Sequence, residues 1–135
     1  MINIVVVSHG DLGEALIRSA EMIVGPATNV SAISLQPDDS PASFKERFEE
    51  RLASLEGEET LILIDLFGGT PYNVVAREAL KEHVECITGV NLPIMLELLV
   101  CADTATAAEL AESITLAGKE SVRNLGPLLK EGAQC

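Results

Sequence analysis

Residues 60–73 read TLILIDLFGGTPYN. An unbroken aliphatic run meets a single carboxylate, and a glycine pair then leads into Thr-Pro. The run Thr60–Leu66 is the most apolar in the chain and predicts a strand covered on both faces. Pro71 suits the first turn of a helix, so Gly68-Gly69-Thr70-Pro71 predicts the start of a helix lasting to about Lys81. The opening run Ile2–Val7 is a second strand of the same kind, and it ends in Ser8-His9-Gly10. A helix follows over Asp11–Val24, with Leu12, Ala15, Leu16, Ser19, Met22 and Ile23 at helical spacing and Gly25-Pro26 as its stop. Val30–Leu35 alternates and predicts a strand. Pro41–Leu55 predicts a helix burying Phe44, Phe48, Leu52 and Leu55, and Val84–Val90 a further strand. Helices over Pro93–Ala102 and Thr106–Ala117 come next, and Glu120–Leu125 reads as an edge strand.

Strands alternating with helices of ten or more residues imply right-handed βαβ units. The expected fold is therefore one α/β domain over residues 1–135, a flavodoxin-like, doubly wound, mainly parallel four-stranded sheet of order 2-1-3-4. In that order the strand sequence reverses between the first and third strands, and ligands bind beyond their C-terminal ends. The loops placed there are Ser8-His9-Gly10 and Asp65–Pro71.

Composition agrees. Hydrophobic residues make up 47% but aromatics only 3%, so the core must be built from Val, Ile, Leu and Ala. A net charge of −12 repels nucleic acid and anionic membranes and favours a basic protein partner or simple solubility. The apolar opening is short and lacks a basic flank, so no targeting segment is expected and the protein is placed in the cytoplasm. Cys86, Cys101 and Cys135 have no metal-ligand spacing and read as reduced thiols. No metal and no cofactor is expected.

At the switch point His9 carries the chemistry. Asp65 ends an apolar strand, where a charge is costly without a partner, and an imidazole N–H is a suitable one. Pairing would fix one ring nitrogen as donor and leave the other as nucleophile. Gly68, Gly69 and Thr70 read as an anion cradle at a helix N-terminus. Asp11 reads as the N-cap of the first helix, and His83, beside Glu82 and Glu85, as a solvated loop residue.

These residues resemble the mannose-family IIA component of the bacterial phosphoenolpyruvate-dependent sugar phosphotransferase system. The likeness runs through Ser8-His9-Gly10, Ala20-Glu21-Met22-Ile23-Val24-Gly25, Asp65 with Gly68-Gly69-Thr70-Pro71-Tyr72-Asn73, and Gly89-Val90-Asn91-Leu92-Pro93. It implies a phosphotransferase acting through phosphohistidine. His9 would accept a phosphoryl group from the histidine-containing phosphocarrier protein (HPr) and pass it to a IIB component, here a separate polypeptide, with an indirect link to membrane IIC and IID components. It further implies that Asp65 orients His9, and that Ser8, Gly10, Gly68, Gly69 and Thr70 hold phosphate oxygens. The family is a homodimer exchanging a C-terminal antiparallel strand, for which Glu120–Leu125 is the candidate. Phe67 stands where some members have Trp, and Asp11 where some have an aromatic or basic residue.

Three rivals share parts of this pattern. A flavin carrier would need a hydroxyl-rich first loop and aromatics around the ring, which Ser8–Asp11 and the single Tyr72 do not supply. A histidine phosphatase would place Arg before His-Gly, where Ser8 stands. The phosphodonor subunit of a dihydroxyacetone-kinase system, or a regulatory domain, matches almost as well.

Overall fold

The computed structural model describes residues 1–134. The thiol expected at Cys135 lies outside them. Strands β1 (Asn3–His9), β2 (Val30–Leu35), β3 (Thr60–Ile64) and β4 (Val84–Thr88) form one parallel sheet of order β2-β1-β3-β4. Helices α1 (Leu12–Val24), α2 (Pro41–Ala53), α3 (Gly69–Val75), α4 (Leu92–Cys101), α5 (Ala107–Glu120) and α6 (Leu125–Gln134) complete the chain, with a 3-10 turn over Ala76–Leu80 after α3. The predicted order of the sheet is the observed one.

The two central strands are aliphatic over Ile4–Val7 of β1 and Leu61–Ile64 of β3 because both of their faces are covered. Successive side chains point to opposite faces. Ile4, Val6, Leu61 and Leu63 therefore pack with Ala20 of α1, Met95 and Leu98 of α4, and Leu110 and Ile114 of α5. Val5, Val7, Ile62 and Ile64 meet Phe44 and Phe48 of α2 and Val75 of α3 on the other face. Truncating either phenylalanine to Ala removes about 3–5 kcal/mol of such packing. The register sets Val7 against Ile64 and His9 against Leu35. Three strands thus deliver their C-terminal loops to one rim.

The C-terminal segment departs from expectation. Glu120 still belongs to α5, Ser121–Asn124 link the two helices, and α6 begins at Leu125; the edge strand expected over Glu120–Leu125 is not formed in this chain. The apparent alternation is a helix terminus. The Ser121 hydroxyl and N–H both donate to the Gly118 carbonyl (2.7 and 3.2 Å), and Arg123 Nε donates to the Glu120 carbonyl (3.0 Å). Pro127 then falls in the first turn of α6, where its missing N–H costs nothing. Among the described residues, no helix is long and apolar enough to cross a membrane.

Candidate functional site

β1 carries His9 to the rim as its last residue, and the chain after β3 bends at Asp65. Parallel pairing brings the two side by side: the Asp65 N–H donates to the Val7 carbonyl (3.2 Å). Asp65 Oδ2 then accepts from the His9 backbone N–H and lies 2.9 Å from the ring Nδ1. An ionised carboxylate can only accept, so in the neutral ring the proton sits on Nδ1 and Nε2 is the free acceptor. The other oxygen, Oδ1, is buried and has no hydrogen-bond partner. The His9 side chain is 47% exposed while that of Asp65 is 9% exposed. The ring faces outward and its carboxylate partner is enclosed.

Gly69 closes the opposite side of the ring. A Cβ built there would sit 3.3 Å from both Cε1 and Nε2 of His9, and its φ of +83° lies in the left-handed region. Glycine meets both demands at once. Thr70, at the start of α3, lines a shallow cleft of about 310 Å³ with His9, Gly10, Leu35, Gln36, Pro37, Asp39 and Pro41. The wall from Gln36 to Pro41 was missed in the sequence, although the strand order already sets the loop after β2 next to that after β1. Among the described residues no arginine lines this cleft; Arg47 instead holds Asp39 through both terminal nitrogens (3.1 and 3.0 Å).

Two expectations are corrected here. Ser8 was placed among phosphate-holding residues, but it is fully buried. Its hydroxyl accepts from the Gly13 N–H (2.9 Å) and donates to the Gly10 carbonyl (3.3 Å), beneath the rim rather than on it. Asp11 stands at the N-cap position of α1 but makes no side-chain capping bond; its carboxylate takes the Gln36 side-chain amide at 3.2 Å. His83 is far from His9 in the fold, at the start of β4, and pairs with Glu59 (3.0 Å). Cys86 lines a separate cleft beside β4, and burial pushes its thiol up to about 12, which keeps it protonated and unreactive. No cluster of His, Cys, Asp or Glu suited to a metal ion is found among the described residues.

With this geometry, the comparison with known families is decisive. The model of the EIIA-man family, described as the PTS system fructose IIA component, matches residues 3–115. The chain belongs to this family. Among curated members, the PTS system mannose-specific EIIAB component of Escherichia coli K12 is 36% identical over 129 residues, covering 92% of this chain and 39% of that protein. The chain thus spans about two-fifths of the length of that relative. The PTS system fructose-specific EIIA component of Bacillus subtilis is 32% identical over 123 residues, covering 90% of this chain and 84% of that protein. Among solved structures, the PTS IIA protein associated with the fucose utilization operon of Streptococcus pneumoniae superposes with a TM-score of 0.85 at 30% identity, covering 95% of this chain and 96% of that one. Membership of the EIIA family therefore agrees with the fold, with the parallel sheet and with the loops that meet at His9.

Proposed function

We propose that this EIIA chain is a phosphocarrier of a sugar phosphotransferase system, with His9 as the residue phosphorylated. The observation that carries the reading is the outward Nε2 of a ring whose Nδ1 is tied to the largely enclosed side chain of Asp65. Nε2 attacks the phosphorus of a phosphohistidine on HPr. The P–N bond to the donor ring breaks as the bond to Nε2 forms, and the donor imidazole leaves with the electron pair. The same exchange in the other direction delivers the group to a IIB component. Such a transfer needs in-line placement and stabilisation of charge, with little covalent work from the protein. Asp65 offsets the positive charge that His9 gains as Nε2 becomes substituted. Gly10, Gly68, Gly69 and Thr70 are assigned to the phosphate oxygens. A cleft without arginine favours relay over ester hydrolysis, and its shallowness suits successive docking of two proteins in the cytoplasm.

We also propose a homodimer in which the segment from Ser121 onward crosses to a second copy and pairs along β4. Supporting this, among the described residues the outer edge of β4 is unpaired, a cleft of about 620 Å³ lies beside it, and Val122 is 84% exposed. Light scattering should return twice the chain mass; the single-chain mass would remove this part of the reading.

For the relay, the protein is incubated with phosphoenolpyruvate, the general phosphotransferase enzyme and HPr, beside a His9→Ala variant. One acid-labile phosphoryl group per chain is expected on the wild type and none on the variant. A folded wild type left unlabelled by a competent donor overturns the reading.

A further inference from the structure

Between β1 and α1 the chain must change from strand to helix within two residues, Gly10 and Asp11. The residue at the N-cap position does not cap: Asp11 turns its carboxylate to Gln36. The Gly13 N–H, one of the donors that a helix start leaves unsatisfied, is buried and takes its acceptor from Ser8, upstream of the turn. The same hydroxyl returns its own hydrogen to the Gly10 carbonyl. One buried side chain, immediately before His9, therefore ties the loop after His9 to the start of α1.

We propose that Ser8 is a positioning residue for phosphoryl transfer at His9, acting through this clamp rather than by touching phosphate. This rests on the relay reading above. The backbone around His9 is held at three points: its own N–H by Asp65, the Gly10 N–H by the Leu35 carbonyl (2.8 Å), and the outgoing chain by Ser8. The first two fix the strand against its neighbours. The third ties the turn after His9 to the start of α1. The ring has little room for error, because Gly69 packs against it so closely that even a methyl group would press on Nε2. α1 has equally little freedom to slide: a Cβ on Gly13 would lie 3.1 Å from Val6 Cγ1 and 3.2 Å from Ser8 Oγ. A shift of the Gly10–Gly13 turn thus passes directly into the direction of the His9 ring and the line of attack at Nε2.

The test compares Ser8→Ala, Ser8→Thr and Gly13→Ala with wild type. Ser8→Ala removes the acceptor, Ser8→Thr keeps a hydroxyl on a residue that a strand accepts readily, and Gly13→Ala strains the clamp from the helix side. Misplacement of a reacting group is expensive in rate, so the maximal rate of labelling by phosphorylated HPr should fall about tenfold in Ser8→Ala. The HPr concentration for half-maximal rate should stay unchanged, because Ser8 is buried and touches no partner. Ser8→Thr should restore most of the rate. Nitrogen-15 spectra of the unphosphorylated protein should show the His9 ring as one tautomer in wild type and in Ser8→Thr, and as a mixture in Ser8→Ala and Gly13→Ala. A Ser8→Ala protein with wild-type rate and a single tautomer overturns the proposal. So does a loss in rate that follows only the fraction unfolded. If Ser8→Ala does not fold, the Gly13→Ala spectrum decides. The spectra need no phosphodonor, so a wild type that takes no label overturns the relay, while the tautomers still judge the clamp.

Discussion

The molecule contains two histidine–carboxylate pairs of almost the same length. His9 Nδ1 is 2.9 Å from Asp65, and His83 Nδ1 is 3.0 Å from Glu59. Their surroundings differ completely. Asp65 gives one oxygen to both the ring and the backbone N–H of the same histidine, keeps the other enclosed without a partner, and is 9% exposed. Glu59 is 33% exposed and divides its oxygens between His83 and the Ala107 N–H at the start of α5 (3.1 Å). The first pair sits at the C-terminal rim against a glycine; the second joins elements at the opposite end of the sheet. A pair of this type is therefore not in itself a site. What sets the His9 pair apart is a remote ring nitrogen packed against Gly69 and surrounded by the loops after β1, β2 and β3.

The sharpest way to break the comparison is to delete each carboxylate. Asp65→Ala should lower the rate of phosphoryl transfer to His9 by about a hundredfold, the scale at which positioned acid–base partners and orienting groups act. Glu59→Ala should leave that rate within about twofold. Rapid-quench labelling from phosphorylated HPr measures both. Stability should change far less than rate. Asp65→Ala relieves the desolvation of the unpartnered Oδ1, about 1–3 kcal/mol, but takes the acceptor from the His9 N–H and ring, so it should melt close to wild type. Equal losses of rate in the two variants would mean that position in the fold does not distinguish the pairs.

Legibility in the sequence followed the same division. The sheet order came from the aliphatic runs Ile2–Val7 and Thr60–Leu66, because a strand buried on both faces leaves a pattern with few rivals. The rim positions of His9, Asp65 and Gly69 were legible because polar or glycine residues directly after such runs have few places to go other than the rim. The setting of Ser8 was not: its place beside His9 pointed to phosphate, and only packing reveals that its hydroxyl turns inward to Gly13. The Gln36–Pro41 wall of the cleft was hidden because its residues look like an ordinary turn. At the C-terminus, Ser-Val-Arg-Asn-Leu satisfies a strand's alternation and a helix-ending turn equally well. Within the single chain, bonds from Ser121 and Arg123 back to α5 select the turn.

A finer test separates contact with the His9 ring from backbone strain. Gly57 and Gly69 share the same φ of +83°, yet a Cβ at Gly57 would meet nothing within 4 Å, whereas at Gly69 it would meet the His9 ring at 3.3 Å. Alanine at either position takes on the left-handed penalty of about 1–2 kcal/mol, so both variants should lose similar stability in urea unfolding. Only Gly69→Ala adds a methyl group where the ring must sit, and it should slow transfer about tenfold by displacing Nε2 from its line of attack. Gly57→Ala, at the far end of the sheet, should transfer at the wild-type rate. If the two variants slowed transfer equally, the loss would belong to strain in general, and the close approach of Gly69 to His9 would have no part in the chemistry.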